Sequence, residues 1–275
     1  MILDYTLLTI ILGTSIMGLV SGAIGVFTIL RRQSLLGDAV AHAALPGIAM
    51  MFLLTYSTNP FILLTGGALS GWIATLCMEK IITHTPLKKD AALGIVLSVF
   101  FGFGLLLMTL IQKLPTANQS ILNKFLFGNA STLLRSDIQL IALIGAAILV
   151  TLLLIFNIAK AVTFDPLFGA TIGLHPKNIH LLLTTLAVFA IMIGLQTVGV
   201  VLMSAMLIAP AAAARQWTNN LPTLVISSGI LGASSAIIGT IISSHISHMP
   251  TGPAIVVVAS IIVIISLLFG PPRSG

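Results

Sequence analysis

Residues 29–50 read ILRRQSLLGDAVAHAALPGIAM. One apolar run closes on the arginine pair Arg31–Arg32, and a second opens shortly after it and runs on through Leu54. The second run carries Asp38 and His42, four residues apart, and then Pro46–Gly47. A short basic turn between two long apolar segments is the joint between two membrane helices, and the rest of the chain repeats that pattern. Of 275 residues, 57% are hydrophobic and only 7% charged, and the mean hydropathy is +1.16. A soluble domain carries roughly a quarter charged residues. The sequence therefore predicts an all-α polytopic membrane protein, with residues 1–275 forming a single transmembrane domain.

A helix needs about 20 apolar residues to cross the hydrocarbon core. Runs of that kind fall near 6–30, 38–56, 60–80, 91–112, 138–159, 179–197, 222–243 and 252–270. The stretch 198–214 is shorter and contains Pro210, and reads as a half-span returning across the membrane. Eight or nine crossings result. The start, MILDYTLLTI, lacks a basic region ahead of its apolar run, so the first span is expected to be retained. Cys77, the single cysteine, excludes a disulfide framework and a thiolate cluster.

The net charge of +6 is a statement about topology, not about nucleic acid. With the N-terminus outside and 198–214 returning inward, nine basic residues face the cytoplasm: Arg31, Arg32, Lys80, Lys88, Lys89, Lys160, Lys177, Arg215 and Arg273. Lys113, Lys124 and Arg135 fall outside, in the polar 113–137 loop. That bias predicts an outer N-terminus and a cytoplasmic C-terminus. On the cytoplasmic side, 160–178 reads as a short interfacial helix started by Asp165–Pro166 and stopped at Gly173. A capped loop and a docking helix for a partner fit that pattern equally. Gly18-x-x-x-Gly22 and Gly67-x-x-x-Gly71 mark close helix crossings.

Of the six acidic residues, Asp4, Glu79, Asp90, Asp137 and Asp165 lie at termini, span ends or loops within reach of water. Asp38 opens an apolar segment, and a carboxylate inside a membrane is costly enough to be a functional candidate by default. Four residues apart on a helix, Asp38 and His42 share one face. Carboxylate oxygen and imidazole nitrogen there suit a divalent first-row metal. Pro46 has no N–H to give the His42 carbonyl, so a bend is expected, eased by Gly47. The competing reading makes Asp38 a helix N-cap and His42 a hydrogen-bonded bundle histidine. His245 and His248, three apart at the outer boundary, fit metal capture at an entrance or a wet interfacial pair. His84, His175 and His180 are expected to be solvated. No G-x-x-x-x-G-K-[ST] and no H-E-x-x-H occurs, which excludes a P-loop ATPase and a zinc protease of that type. The chain is not expected to be an enzyme.

Four ordered blocks resemble the ABC-3 family, the permease subunits of bacterial importers for manganese, zinc and iron(II). They are ILRRQSLLGDAVAHAALPGIAM (29–50), FDPLFGATIGL (164–174), QTVGVVLMSAMLIAPAAAARQW (196–217) and MPTGPAIVVVAS (249–260). The resemblance implies a type II ABC importer-like permease in the bacterial inner membrane. It implies Asp38 and His42 as ligands of a transported ion, with Asp165, Phe168, Ala170 and Gly173 in an ATPase-coupling segment. It also implies cytoplasmic ATP-binding subunits, an extracytoplasmic metal-binding protein, and a second permease copy or a related permease. No cofactor would be permanently bound; the metal is cargo, and ATP is met only through a partner. An ion-coupled secondary carrier, an ABC permease for a metal chelate or cobalamin-like cargo, and a purely structural subunit are the competing functions.

Overall fold

The computed structural model describes residues 5–113, 128, 133, 135–195, 197–246 and 249–271. These residues form eleven helices and no strand. In order they are α1 (Tyr5–Leu30), α2 (Leu36–Thr55), α3 (Pro60–His84), α4 (Lys89–Gln112), α5 (Arg135–Leu154), α6 (Phe156–Phe164), α7 (Pro166–Thr171), α8 (Pro176–Leu195), α9 (Val200–Trp217), α10 (Leu221–His245) and α11 (Thr251–Phe269). Eight of them, all but α6, α7 and α9, are long and apolar enough to cross a membrane. Their ends follow local chemistry. Tyr56 closes α2 in the left-handed region at φ 48°, and Asn59 opens α3 by accepting the Phe61 N–H at 3.0 Å ahead of Pro60. Hydroxyls inside the spans are satisfied by the preceding turn, as Thr14 is by the Ile10 carbonyl at 2.8 Å.

The small-residue pairs lie at helix crossings. Gly18 faces the Gly232 backbone and Gly22 the Ser228 backbone, so α1 and α10 touch without intervening side chains. The Ser228 hydroxyl donates to the Gly22 carbonyl at 2.6 Å in this seam. Gly67 and Gly71 seat α3 against Ile48 and Val40 of α2, and against Met192 and Val188 of α8.

The expected half-span is a full helix. Pro210 lies inside α9 without ending it, and α9 begins after a turn in which Gly199 takes φ 87°. A Cβ at Gly252 would stand 2.9 Å from the Val198 carbonyl, and one at Gly270 would stand 3.1 Å from the Gln216 side chain. The segment therefore runs beside α11 for its whole length and crosses the same depth. Its 18 residues span about 27 Å, close to the ~30 Å of a hydrocarbon core. Buried Met203, Met206 and Leu207 place it in the middle of the bundle. Its modest hydropathy follows, because protein rather than lipid surrounds it.

Two further expectations change. The 138–159 span ends at Leu154, and its last residues belong to α6, so the 160–178 segment is α6, a six-residue α7 and the start of α8. Asp137 is not water-accessible: it is 8% exposed in the first turn of α5. Most of 113–137, and His248, lie outside the described residues.

Candidate metal site

Asp38 and His42 are brought together as the spacing predicts. His42 Nε2 lies 3.3 Å from Asp38 Oδ1, with the side chains 18% and 35% exposed. The capping reading fails, because Leu35 occupies the cap position of α2 and no side chain caps the helix. Asp38 is a residue of the first turn, where a carboxylate also meets the positive end of the helix dipole.

The depth of the pair comes from how α2 starts. Gly37 stands against Ser204 and Leu207, each within 3.2 Å of a built Cβ, and both lie in the interior of α9. Val40 packs on Gly71 and Val188, near the middles of α3 and α8. The first turn of α2 is thus inside the bundle, while α1 and α3 continue past it. The aspartate that opens this helix is held at membrane depth.

Phe101 of α4 completes one wall, its ring meeting the His42 ring edge-on at 4.6 Å between centroids. Nothing in the sequence pattern pointed to Phe101. His42 Nδ1 is buried and has no hydrogen-bond partner among the described residues. With Nδ1 closed off, Nε2 is the ring nitrogen that faces the carboxylate.

Pro46 and Gly47 serve close packing. Helix α2 continues through Pro46, whose ring lies against the position a Cβ at Gly104 would take, 3.0 Å away. Gly47 faces the Gly66 carbonyl on α3. The Ser70 hydroxyl donates to the Ala43 carbonyl at 2.7 Å, next to the His42 carbonyl that Pro46 leaves without its ladder donor.

Among the described residues, no cluster of three or more His, Cys, Asp or Glu side chains is poised to hold a metal. Asp38 and His42 bring one carboxylate and one imidazole together, fewer groups than would enclose a cation. His245 is exposed at the far end of α10, its Nδ1 2.8 Å from the Ile241 carbonyl. Because His248 lies outside the described residues, their pairing is not on view.

At the opposite end, Asp165 caps α7, its Oδ1 accepting the Phe168 N–H at 2.9 Å, and Gly173 ends the turn at φ 83°. Leu167 is 81% exposed, and Phe164, Phe168, Ala170 and Ile172 are exposed beside it. An apolar surface on a short rigid helix is suited to a protein groove. His84 and His175 are exposed as expected. His180 is not solvated: it is half-buried, and its Nδ1 is shut in without a partner among the described residues.

Comparison with known proteins accords with this arrangement. A family model described as the ABC 3 transport family matches residues 4–270. The chain is 47% identical over 270 residues to the zinc transport system membrane protein TroC of Treponema pallidum, covering 98% of this chain and 91% of that protein. It is 44% identical over 265 residues to the manganese transport system membrane protein MntC of Bacillus subtilis, covering 96% of this chain and 61% of that one. Among solved structures, PsaBC from Streptococcus pneumoniae in complex with Fab superposes with a TM-score of 0.85 at 31% identity, covering 97% of this chain and 92% of the matched one.

Proposed function

The chain belongs to the ABC 3 transport family as a membrane permease subunit, and from that premise we propose that it imports a divalent first-row metal ion through Asp38 and His42. The observation that carries this reading is the 3.3 Å approach of His42 Nε2 and Asp38 Oδ1, beside Gly37, which packs on the interior of α9. One carboxylate and one imidazole suit manganese, zinc and iron(II) alike, and the names borne by the relatives, zinc for one and manganese for another, fit that range.

An extracytoplasmic binding protein delivers the ion at the end of the bundle that carries His245. Asp38 and His42 take it from there, and a second permease copy or related chain contributes the remaining ligands. Two carboxylates and two imidazoles then surround the ion transiently. Phe101 excludes water from one side of the ring. ATP binding and hydrolysis belong to cytoplasmic partner subunits, which grip the exposed face of α7 between Asp165 and Gly173. Asp38 and α7 lie on segments that meet at the Arg31–Gln33 turn, which gives movement of α7 a short route to the ligand pair.

The distribution of basic residues supports an outer N-terminus. Arg31, Arg32, Lys80, Lys88, Lys89, Lys160, Lys177 and Arg215 sit at the α7 end, and Lys113 and Arg135 at the other. With α9 counted, nine crossings put the two termini on opposite sides.

The test is uptake of manganese, zinc and iron in cells producing wild type, Asp38→Ala or His42→Ala at matched membrane levels. Both variants are expected to lose uptake of one ion while folding and binding the ATPase subunits normally. Uptake at the wild-type rate in either variant removes that residue from the pathway.

A further inference from the structure

A pocket with several charged lining residues opens where α6 and α7 approach the turn between α1 and α2, separate from Asp38 and His42. Its charges are Arg31, Arg32, Lys89 and, as the one acid, Glu79. Three further walls end in buried polar atoms that have no partner among the described residues: Gln33 Oε1, Thr163 Oγ1 and His180 Nδ1. Gln33, a lining residue, is only 6% exposed. Unpaired buried polar atoms of this kind are costly.

The turn itself is shaped for the purpose. Arg32 takes φ 54°, a conformation that a non-glycine residue adopts at a cost and that tends to mark functional sites. Arg31 gives one N–H to Thr184 Oγ1 at 3.2 Å and keeps its others. The side chains of Arg32 and Lys89 make no hydrogen bond or ion pair among the described residues. Burial draws the Arg31 guanidinium down from its ordinary value to about 10, with Glu79 opposing. Three cations to one acid favour an anion over a metal ion.

We propose that this pocket binds a phosphate group, either the headgroup phosphate of an anionic lipid or free inorganic phosphate. Cationic donors line it from the turn and from Lys89 on α4, and Gln33, Thr163 on α6 and His180 on α8 line it beside them. That is more than the two oxygens of a carboxylate accept, and it matches the oxygens of a phosphate. The pocket lies among the cytoplasmic ends of α1, α3 and α4, the level at which headgroups meet a helical bundle, and basic pockets between helices there hold anionic lipids. An occupant would join α6–α7 to the turn that leads into Asp38, so its presence would stiffen the route between the docking helix and the ligand pair.

The test uses the full chain. Lipid retention is read by mass spectrometry after reconstitution in phosphatidylcholine with or without phosphatidylglycerol, and thermal unfolding in detergent compares inorganic phosphate with chloride at equal ionic strength. Wild type is set against Arg32→Gln combined with Lys89→Gln, both exposed positions, and against Thr163→Val. Wild type is expected to retain phosphatidylglycerol or to be stabilised by phosphate, and the double variant to bind on the order of tenfold more weakly. Retention of the lipid without a phosphate effect identifies the headgroup as the source, and the converse identifies free phosphate. Wild type indifferent to both probes, or the double variant binding as wild type does, overturns the proposal. So does a double variant that keeps both probes and loses only its ATPase subunits, which would place a partner's carboxylate in the pocket. Metal uptake is not the readout, so failure here leaves the Asp38–His42 reading untouched.

Discussion

Gly25→Ala is the substitution whose effect the structure determines most sharply. A Cβ at Gly25 would overlap the Leu207 carbonyl oxygen, stand 2.9 Å from the Leu207 carbonyl carbon and 3.6 Å from the Ala211 Cβ. The atoms it meets are backbone atoms of α9, which cannot rotate away, so α1 and α9 must separate. Overpacking of that kind costs typically 1–3 kcal/mol, and a backbone obstacle places this case toward the upper end. At about 2–4 °C per kcal/mol for a chain approaching this size, thermal unfolding should fall by roughly 4–10 °C. Gly94→Ala is the control: nothing lies within 4 Å of its Cβ position on α4, so the change removes only glycine's backbone entropy. It should leave stability unchanged or raise it by about 0.5–1 kcal/mol. The assay is thermal unfolding of purified chain in one detergent, read by intrinsic fluorescence, with metal uptake measured in parallel. Uptake should fall in Gly25→Ala, because Leu207 also packs on Gly37, beside Asp38. Equal melting temperatures for Gly25→Ala and Gly94→Ala would refute the close α1–α9 crossing and the central place of α9 with it.

Ser228→Ala removes the buried 2.6 Å bond to the Gly22 carbonyl and should cost about 0.6–1 kcal/mol, a shift of a few degrees in the same unfolding assay, with uptake preserved. Phe101→Ala takes away the ring against His42, and metal binding by the purified permease should weaken about two- to tenfold without being abolished. Asp165→Ala deletes the cap of α7, worth about 1 kcal/mol, and should reduce co-purification of the ATPase subunits while leaving metal binding intact. Leu167→Asp, on the exposed face of the same helix, should abolish that co-purification without lowering the melting temperature.

Spans and small-residue crossings were legible because each depends on neighbours along the chain. Twenty apolar residues must cross a bilayer as helix whatever else is present, so α1–α4, α8, α10 and α11 begin and end within a few residues of their sequence expectations. Asp38 and His42 meet for an equally local reason: a spacing of four is one helical turn, and 3.3 Å follows. The Asp165 cap and the Gly173 stop are local too.

Whatever depends on residues distant in sequence stayed hidden until the helices were packed. Shortness and Pro210 made 198–214 a half-span; its full length beside α11 is visible only from Val198 at Gly252 and Gln216 at Gly270. The depth of Asp38 could not be read from its place at a helix start, since depth is set by Ser204 and Leu207 on another helix. Phe101 reaches His42, and His180 shares a pocket with Gln33 and Thr163, through contacts that no spacing encodes. The sequence alone determined which segments enter the membrane and which polar side chains travel with them, because insertion and helix periodicity are local. Tertiary structure alone decided how deep those side chains lie and what surrounds them, because both are properties of packing between helices.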